Sequence, residues 1–206
     1  MTKLRIGFSP CPNDTFIFDA LIHGKIDTEG LEFDACMADV EELNLMAFRG
    51  ELDITKLSYH AFLHILEEYV MMDSGSALGN NCGPLLIKNV GDKNPIESDL
   101  IAIPGKYTTA NFLLNYAFPK LQNKQEILFS DIESAIKNKQ VSAGLIIHEN
   151  RFTYADRGFE KVKDLGEDWE QSTGMPIPLG GIAIKRNFDK ALQEKVQRLI
   201  RKSIEF

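Results

Sequence analysis

Short apolar runs that end in a turn and pass straight into a helix start recur along this chain, and few architectures accommodate that alternation. Leu4 to Phe8 reads as a buried strand, the run Ser9-Pro10-Cys11-Pro12-Asn13-Asp14 as a turn, and the apolar residues up to Gly24 as a helix. Leu31 to Met37 reads as a second strand, after which Asp39 and Glu42 form a capping box for a helix closed by Gly50. Leu52 to Thr55 is the next strand, with Ser58 placed to cap a helix carrying Phe62, Ile65 and Leu66. Further on, Leu100 to Ile103 leads through Pro104-Gly105 to a helix opened by Thr108 and Thr109. Ser130 and Glu133 suggest another capping box, ahead of the strand Ala143 to His148. Strands alternating with helices predict an α/β fold with mainly parallel sheets.

The pattern falls into two halves, each with a helix feeding a strand that ends in a polar residue. Gly83-Pro84-Leu85-Leu86-Ile87 and Gly180-Gly181-Ile182-Ala183-Ile184 suit two strands crossing between lobes. The expected division is residues 1–86 plus 183–206 for lobe 1 and 87–182 for lobe 2. The last helical segment, with Leu192, Val196, Leu199 and Ile200 at helical spacing, reaches Phe206 without a cap or closing glycine. Lobe 1 is therefore expected to continue beyond Phe206 in a longer protein.

Charge narrows the partners. The 206 residues carry a formal net charge of -7, with acidic residues spread along the chain, so there is no basic footprint for nucleic acid. Cys11, Cys36 and Cys82 lie far apart in no CxxC spacing, which suits a reducing compartment. No charged segment followed by an apolar one opens the chain, and no stretch approaches the roughly 18 apolar residues of a membrane span. These features predict a cytoplasmic protein without nucleic-acid or membrane partners, and the partner expected of it is a small anionic substrate.

Several residues can carry chemistry. The loop Ser9 to Asp14 precedes a helix, where Asn13 or Asp14 serves either as a simple cap or as part of an anion site built from unpaired N–H groups. Thr108 and Thr109 have the same two readings. Lys56 and Ser58 bring a cation and a hydroxyl to a strand end. His148 follows an apolar strand, where it is either a structural histidine or a base facing the crevice of an open sheet. His60 and His64 stand at i and i+4, but no HExxH glutamate or third ligand accompanies them, so no metal site is expected. Neither a P-loop nor a G-x-S-x-G elbow occurs in the sequence.

Taken together, Ser9-Pro10-Cys11-Pro12-Asn13-Asp14-Thr15-Phe16, Thr55-Lys56-Leu57-Ser58-Tyr59, Pro104-Gly105-Lys106-Tyr107-Thr108-Thr109 and Gly144-Leu145-Ile146-Ile147-His148-Glu149 resemble the 1,4-dihydroxy-6-naphthoate synthase family. The resemblance spans essentially the whole chain. It implies a two-lobed fold like type II periplasmic binding proteins, and a lyase that cleaves cyclic dehypoxanthinyl futalosine in the futalosine route to menaquinone without an organic cofactor. It implies His148 as proton acceptor and Lys56, Leu57, Ser58, Thr108 and Thr109 as substrate-binding residues, beside Asn13 from the local reading. The rival readings are chorismate dehydratase, a relative in the same pathway and fold, and a non-catalytic protein binding a small anion in the same fold.

Overall fold

The computed structural model describes residues 2–80 and 82–206. The chain begins with β1 (Thr2–Phe8), α1 (Pro12–Ile22), β2 (Leu31–Met37), α2 (Val40–Phe48) and β3 (Ile54–Ser58). A single turn, α3 (Tyr59–Phe62), then leads to β4 (Tyr69–Met71) and β5 (Ala77–Gly79). Next come β6 (Leu85–Asn89), β7 (Ile101–Ile103), α4 (Thr109–Ala117), β8 (Lys124–Glu126), α5 (Ile132–Lys137) and β9 (Ala143–Ile146). The chain ends through β10 (Phe159–Asp164), α6 (Leu165–Thr173), β11 (Ile177–Lys185) and α7 (Lys190–Glu205).

These elements form two compact units, Met1–Ala77 with Gly180–Phe206, and Leu78–Leu179. The chain passes from one to the other inside β5 and returns inside β11. Beside the expected switches at 86/87 and 182/183, Leu85–Asn89 lies wholly in the second unit's sheet, while Gly180 to Ile182 pair with β3 in the first.

The first sheet has the order β2-β1-β3-β11-β4, with β5 also paired to β11. Parallel pairing holds where it is expected, between β1 and its neighbours β2 and β3. β11, which carries the returning chain, runs antiparallel to β3 and β4. The second sheet, β10-β6-β9-β7-β8, is mixed in the same way: β7 is parallel to β8 and β9, and β6 is antiparallel to β9 and β10.

In the first unit Leu4, Ile6, Ile54, Ile182 and Ile184 of the sheet pack with Phe18 and Leu21 of α1 and with Val196, Leu199 and Ile200 of α7. The apolar residues of α7 recur at helical spacing, so one stripe is buried and its charges stay outside. Its start is capped by Asp189, which accepts the Leu192 N–H at 2.8 Å. The second unit buries Leu86, Ile101, Ile103 and Leu145 with Leu113 and Leu114 of α4, and packs Ile132 and Ile136 of α5 against Ile87, Ala102 and Ile146.

Several helix starts differ from the local expectation because side chains find partners elsewhere. Asp39 does accept the N–H groups of Glu41 and Glu42, and Gly50 closes α2 with φ 67°. Glu42, however, pairs with Arg49 instead of completing the box. Ser58 ends β3, α3 is only one turn long, and the Ser58 hydroxyl makes no cap bond. At α5 the cap position is Asp131, while Ser130 bonds the Asp131 carboxylate and Glu133 pairs with Arg157. α1 starts at Pro12 behind Cys11, so neither Asn13 nor Asp14 occupies its cap position.

The glycine at Gly83 has a reason that only packing reveals. A Cβ there would stand 2.6 Å from the Cα of Gly166, the second residue of α6, a backbone contact that cannot swing aside. We expect Gly166→Ala to lower stability by about 1–3 kcal/mol through overpacking, read as a lower urea midpoint with the slope unchanged.

Tyr69 is 1% exposed and donates its hydroxyl to the Leu52 carbonyl at 2.5 Å. Burial first, then the charges of Asp53 and Glu68, raise its pKa to about 12. The fold accepts only the neutral phenol, so this contribution is complete below the ordinary tyrosine pKa of about 10 and lost as pH climbs through about 12. Denaturant titrations between those pH values should show a stability loss that Tyr69→Phe flattens; equal slopes in both proteins would refute it.

Candidate functional site

In the first unit the turn after β1 is organised around Asp14. Its side chain is 2% exposed. Oδ2 accepts the Ser9 N–H at 3.1 Å and the Ser9 hydroxyl at 2.7 Å. Oδ1 faces the Lys56 ammonium at 3.2 Å and, among the described residues, takes no hydrogen bond of good geometry. Lys56, only 8% exposed, donates to the Gly75 carbonyl at 2.9 Å. The structure therefore brings together two of the segments singled out in the sequence, the Ser9 to Asp14 turn and the end of β3. Asn13 lies on the first turn of α1 with its side chain exposed.

All five residues of β3 are buried. Leu57 is completely enclosed, opposite Gly181 of β11, so only its main chain is open to a role beyond packing. Ser58 is held by Asn44 from α2: its N–H donates to Asn44 Oδ1 at 3.0 Å, and Asn44 Nδ2 stands 3.5 Å from its Oγ. Asn44 Nδ2 also donates to Glu41 Oε2 at 3.0 Å. Beyond β3, Tyr59 and Ser76 share a hydroxyl contact at 2.8 Å.

In the second unit both threonines are buried at the start of α4. The Thr108 hydroxyl accepts the Asn111 N–H at 3.2 Å, as a cap should, and donates to the Gly105 carbonyl at 2.8 Å. The Thr109 hydroxyl donates to the Leu179 carbonyl at 2.8 Å. Both hydroxyl protons are thus committed. Among the described residues, the Thr109 and Ala110 N–H groups of the first turn have no acceptor, which makes the backbone the donor set at this helix start. Asn111 pins the preceding turn through the Lys106 carbonyl at 2.8 Å and accepts from Lys124 Nζ at 3.0 Å. Burial lowers the pKa of that lysine.

His148 does not prolong β9, which ends at Ile146; it opens a short 3-10 helix, His148–Phe152. Its φ of 56° is left-handed, a conformation costly for a residue with a side chain. Glu29 and Lys139 share it, but both sit in surface turns. Arg151, one helical turn later, fastens the segment by donating to the Gly83 carbonyl and to Asp164 Oδ2, the latter at 2.9 Å. Asp164 in turn caps α6 with its other oxygen. The Phe129 ring lies edge-on to the imidazole at 5.2 Å between centroids.

His60 and His64 are also edge-on, at 5.4 Å, and among the described residues no three metal-ligating side chains gather anywhere. Local reasoning missed Asn44, Glu41, Arg151 and Asp164. The available signal was Asn44, a weak helix former inside the apolar run Leu43-Asn44-Leu45-Met46.

The Lys56–Asp14 pair gives a stability test. Lys56→Met leaves a buried carboxylate with no counter-charge and should cost about 3–5 kcal/mol. Adding Asp14→Asn should recover part of that loss, so denaturant midpoints of the two singles and the double should be non-additive.

Residues 4–206 match the profile of a family described as menaquinone biosynthesis. A Thermus thermophilus protein named 1,4-dihydroxy-6-naphtoate synthase is 42% identical over 206 residues, spanning 100% of this chain and 75% of that relative. A Streptomyces coelicolor protein of the same name is 38% identical, spanning 98% and 72%. The crystal structure of an Archaeoglobus fulgidus protein superposes with a TM-score of 0.88 at 38% identity, covering 99% of this chain and 76% of that one. The alkanesulfonate-binding protein SsuA of Xanthomonas axonopodis pv. citri, bound to MOPS, shares the periplasmic-binding-protein-like fold with a TM-score of 0.72 at 12% identity, covering 98% and 73%. With a profile matched from Leu4 to Phe206 and named relatives at 42% and 38% identity, this chain belongs to the menaquinone biosynthesis family that includes the 1,4-dihydroxy-6-naphthoate synthases.

Proposed function

We propose that this protein is a cytoplasmic carbon–carbon lyase that cleaves cyclic dehypoxanthinyl futalosine to 1,4-dihydroxy-6-naphthoate, with His148 as general base. The observation that carries the reading is the match to two synthases along nearly the whole chain. A cleavage that ends in an aromatic ring needs a base at the proton that leaves and groups that hold the rest of the substrate still.

His148 suits the first task. Its backbone is held in a left-handed conformation by an anchored segment, the kind of strain that collects where a side chain must be aimed. The second task falls to Lys56, Ser58, the Leu57 main chain, Asn13 and the start of α4. There the Thr109 and Ala110 N–H groups suit an anionic oxygen, since the helix dipole adds to their attraction. Thr108 and Thr109 contribute by fixing that first turn, because their own hydroxyl protons are used internally. Three unpaired thiols, Cys11, Cys36 and Cys82, suit a reducing compartment.

His148→Asn retains polarity and approximate size but cannot take up a proton at neutral pH. Naphthoate formation from the cyclic futalosine should fall at least about a hundredfold, while calorimetric substrate binding changes much less. The wild-type kcat should decline as pH falls through the imidazole titration, because the protonated ring has no lone pair to accept with. A near-normal kcat with the acid limb intact in the asparagine variant would remove His148 as base. Dehydration of chorismate in place of naphthoate formation would replace the reaction itself.

A further inference from the structure

Ser58 sits in the proposed substrate-binding set, and its surroundings restrict what it can offer. The Asn44 side chain is fully buried, and its amide has only one workable orientation. The Ser58 N–H, 3.0 Å away, requires an oxygen at that end of the amide, and the Glu41 carboxylate, 3.0 Å from the other end, requires the NH2 group there. A flipped amide would set donor against donor at Ser58 and oxygen against carboxylate at Glu41.

With the amide fixed in this way, its NH2 group also stands 3.5 Å from Ser58 Oγ. The Ser58 hydroxyl proton cannot point at another donor, so it turns away from Asn44, and among the described residues it meets no acceptor. A serine that is 3% exposed with an unspent O–H carries a desolvation cost that a ligand oxygen would relieve. The backbone N–H of Ser58 is already committed, which leaves the hydroxyl as the residue's one outward donor.

We propose that Asn44, locked by Glu41, is a positioning residue that makes Ser58 a hydrogen-bond donor, so that the end of β3 selects an acceptor oxygen of the substrate. The Lys56 charge beside it is already matched by Asp14, so the group recognised here is an uncharged acceptor, a carbonyl or ether oxygen. This role rests on the reading that Ser58 holds substrate.

Asn44→Asp tests it. The new carboxylate still accepts the Ser58 N–H, but its second oxygen now accepts the hydroxyl proton as well, which withdraws the donor from the substrate. KM for the cyclic futalosine should rise about tenfold or more, with kcat changed far less, and Ser58→Ala should raise KM by a similar factor. In the double variant the two effects should not multiply, because both remove the same hydrogen bond. If the extra carboxylate beside Glu41 prevents folding, the same comparison is made in a Glu41→Gln background, where the glutamine amide can donate to it.

An unchanged KM in Asn44→Asp, or a full multiplication of the two losses, would overturn the positioning role. A wild-type KM in Ser58→Ala with normal naphthoate formation would overturn it too, while leaving the reaction standing. Failure of the wild-type protein to form naphthoate at all would instead bring down the reading of the reaction, and this role with it.

Discussion

A positive charge buried on a central strand has to be matched where it lies, and in the first unit that charge is Lys56. Asp14 supplies the match at 3.2 Å, and its second oxygen gathers the Ser9 N–H and hydroxyl. One carboxylate therefore ties the turn after β1 to the middle of β3, and the Gly75 carbonyl takes a further ammonium proton. A solvated pair would contribute little, but a buried one is strongly missed when broken, because the surviving charge has no water to turn to. The layout of this part of the first unit follows from that electrostatic requirement more than from the loop's own preferences.

The second unit solves a similar problem with Arg151 and Asp164. The carboxylate serves two masters, capping α6 with one oxygen and holding the guanidinium with the other. Arg151 also reaches the Gly83 carbonyl, beside the close contact of Gly83 and Gly166. The segment opened by His148 is thus fastened to the start of α6 and to the Gly83 backbone. A left-handed histidine persists only in surroundings of this kind.

The two units use their buried polar groups differently. At β3 the donors are side chains whose directions are set by Asn44 and Asp14. At α4 the threonine hydroxyls are spent on Gly105 and Leu179, and the backbone N–H groups are what remains. Uncharged acceptors suit the first arrangement and anionic oxygens the second.

Much of this was legible in the amino-acid order. Leu31–Met37 is a strand with the expected ends, Asp39 and Thr108 cap as their positions suggest, Gly50 closes its helix, and the apolar stripe of α7 is the buried one. Such features depend on residues within a turn or two of one another, so periodicity and capping chemistry reveal them. The motifs that mark the family are legible in the same way, as ordered strings of residues. What only the tertiary structure decided is where each polar side chain spends its hydrogen bonds. Ser58 gave up a helix cap for Asn44, 14 positions away, and Thr109 bonds Leu179 across 70 positions. Burial raises the cost of an unpaired polar group far above the preference for any local motif, and the partner that relieves it is chosen by the packing of the sheet, which no short stretch of sequence contains.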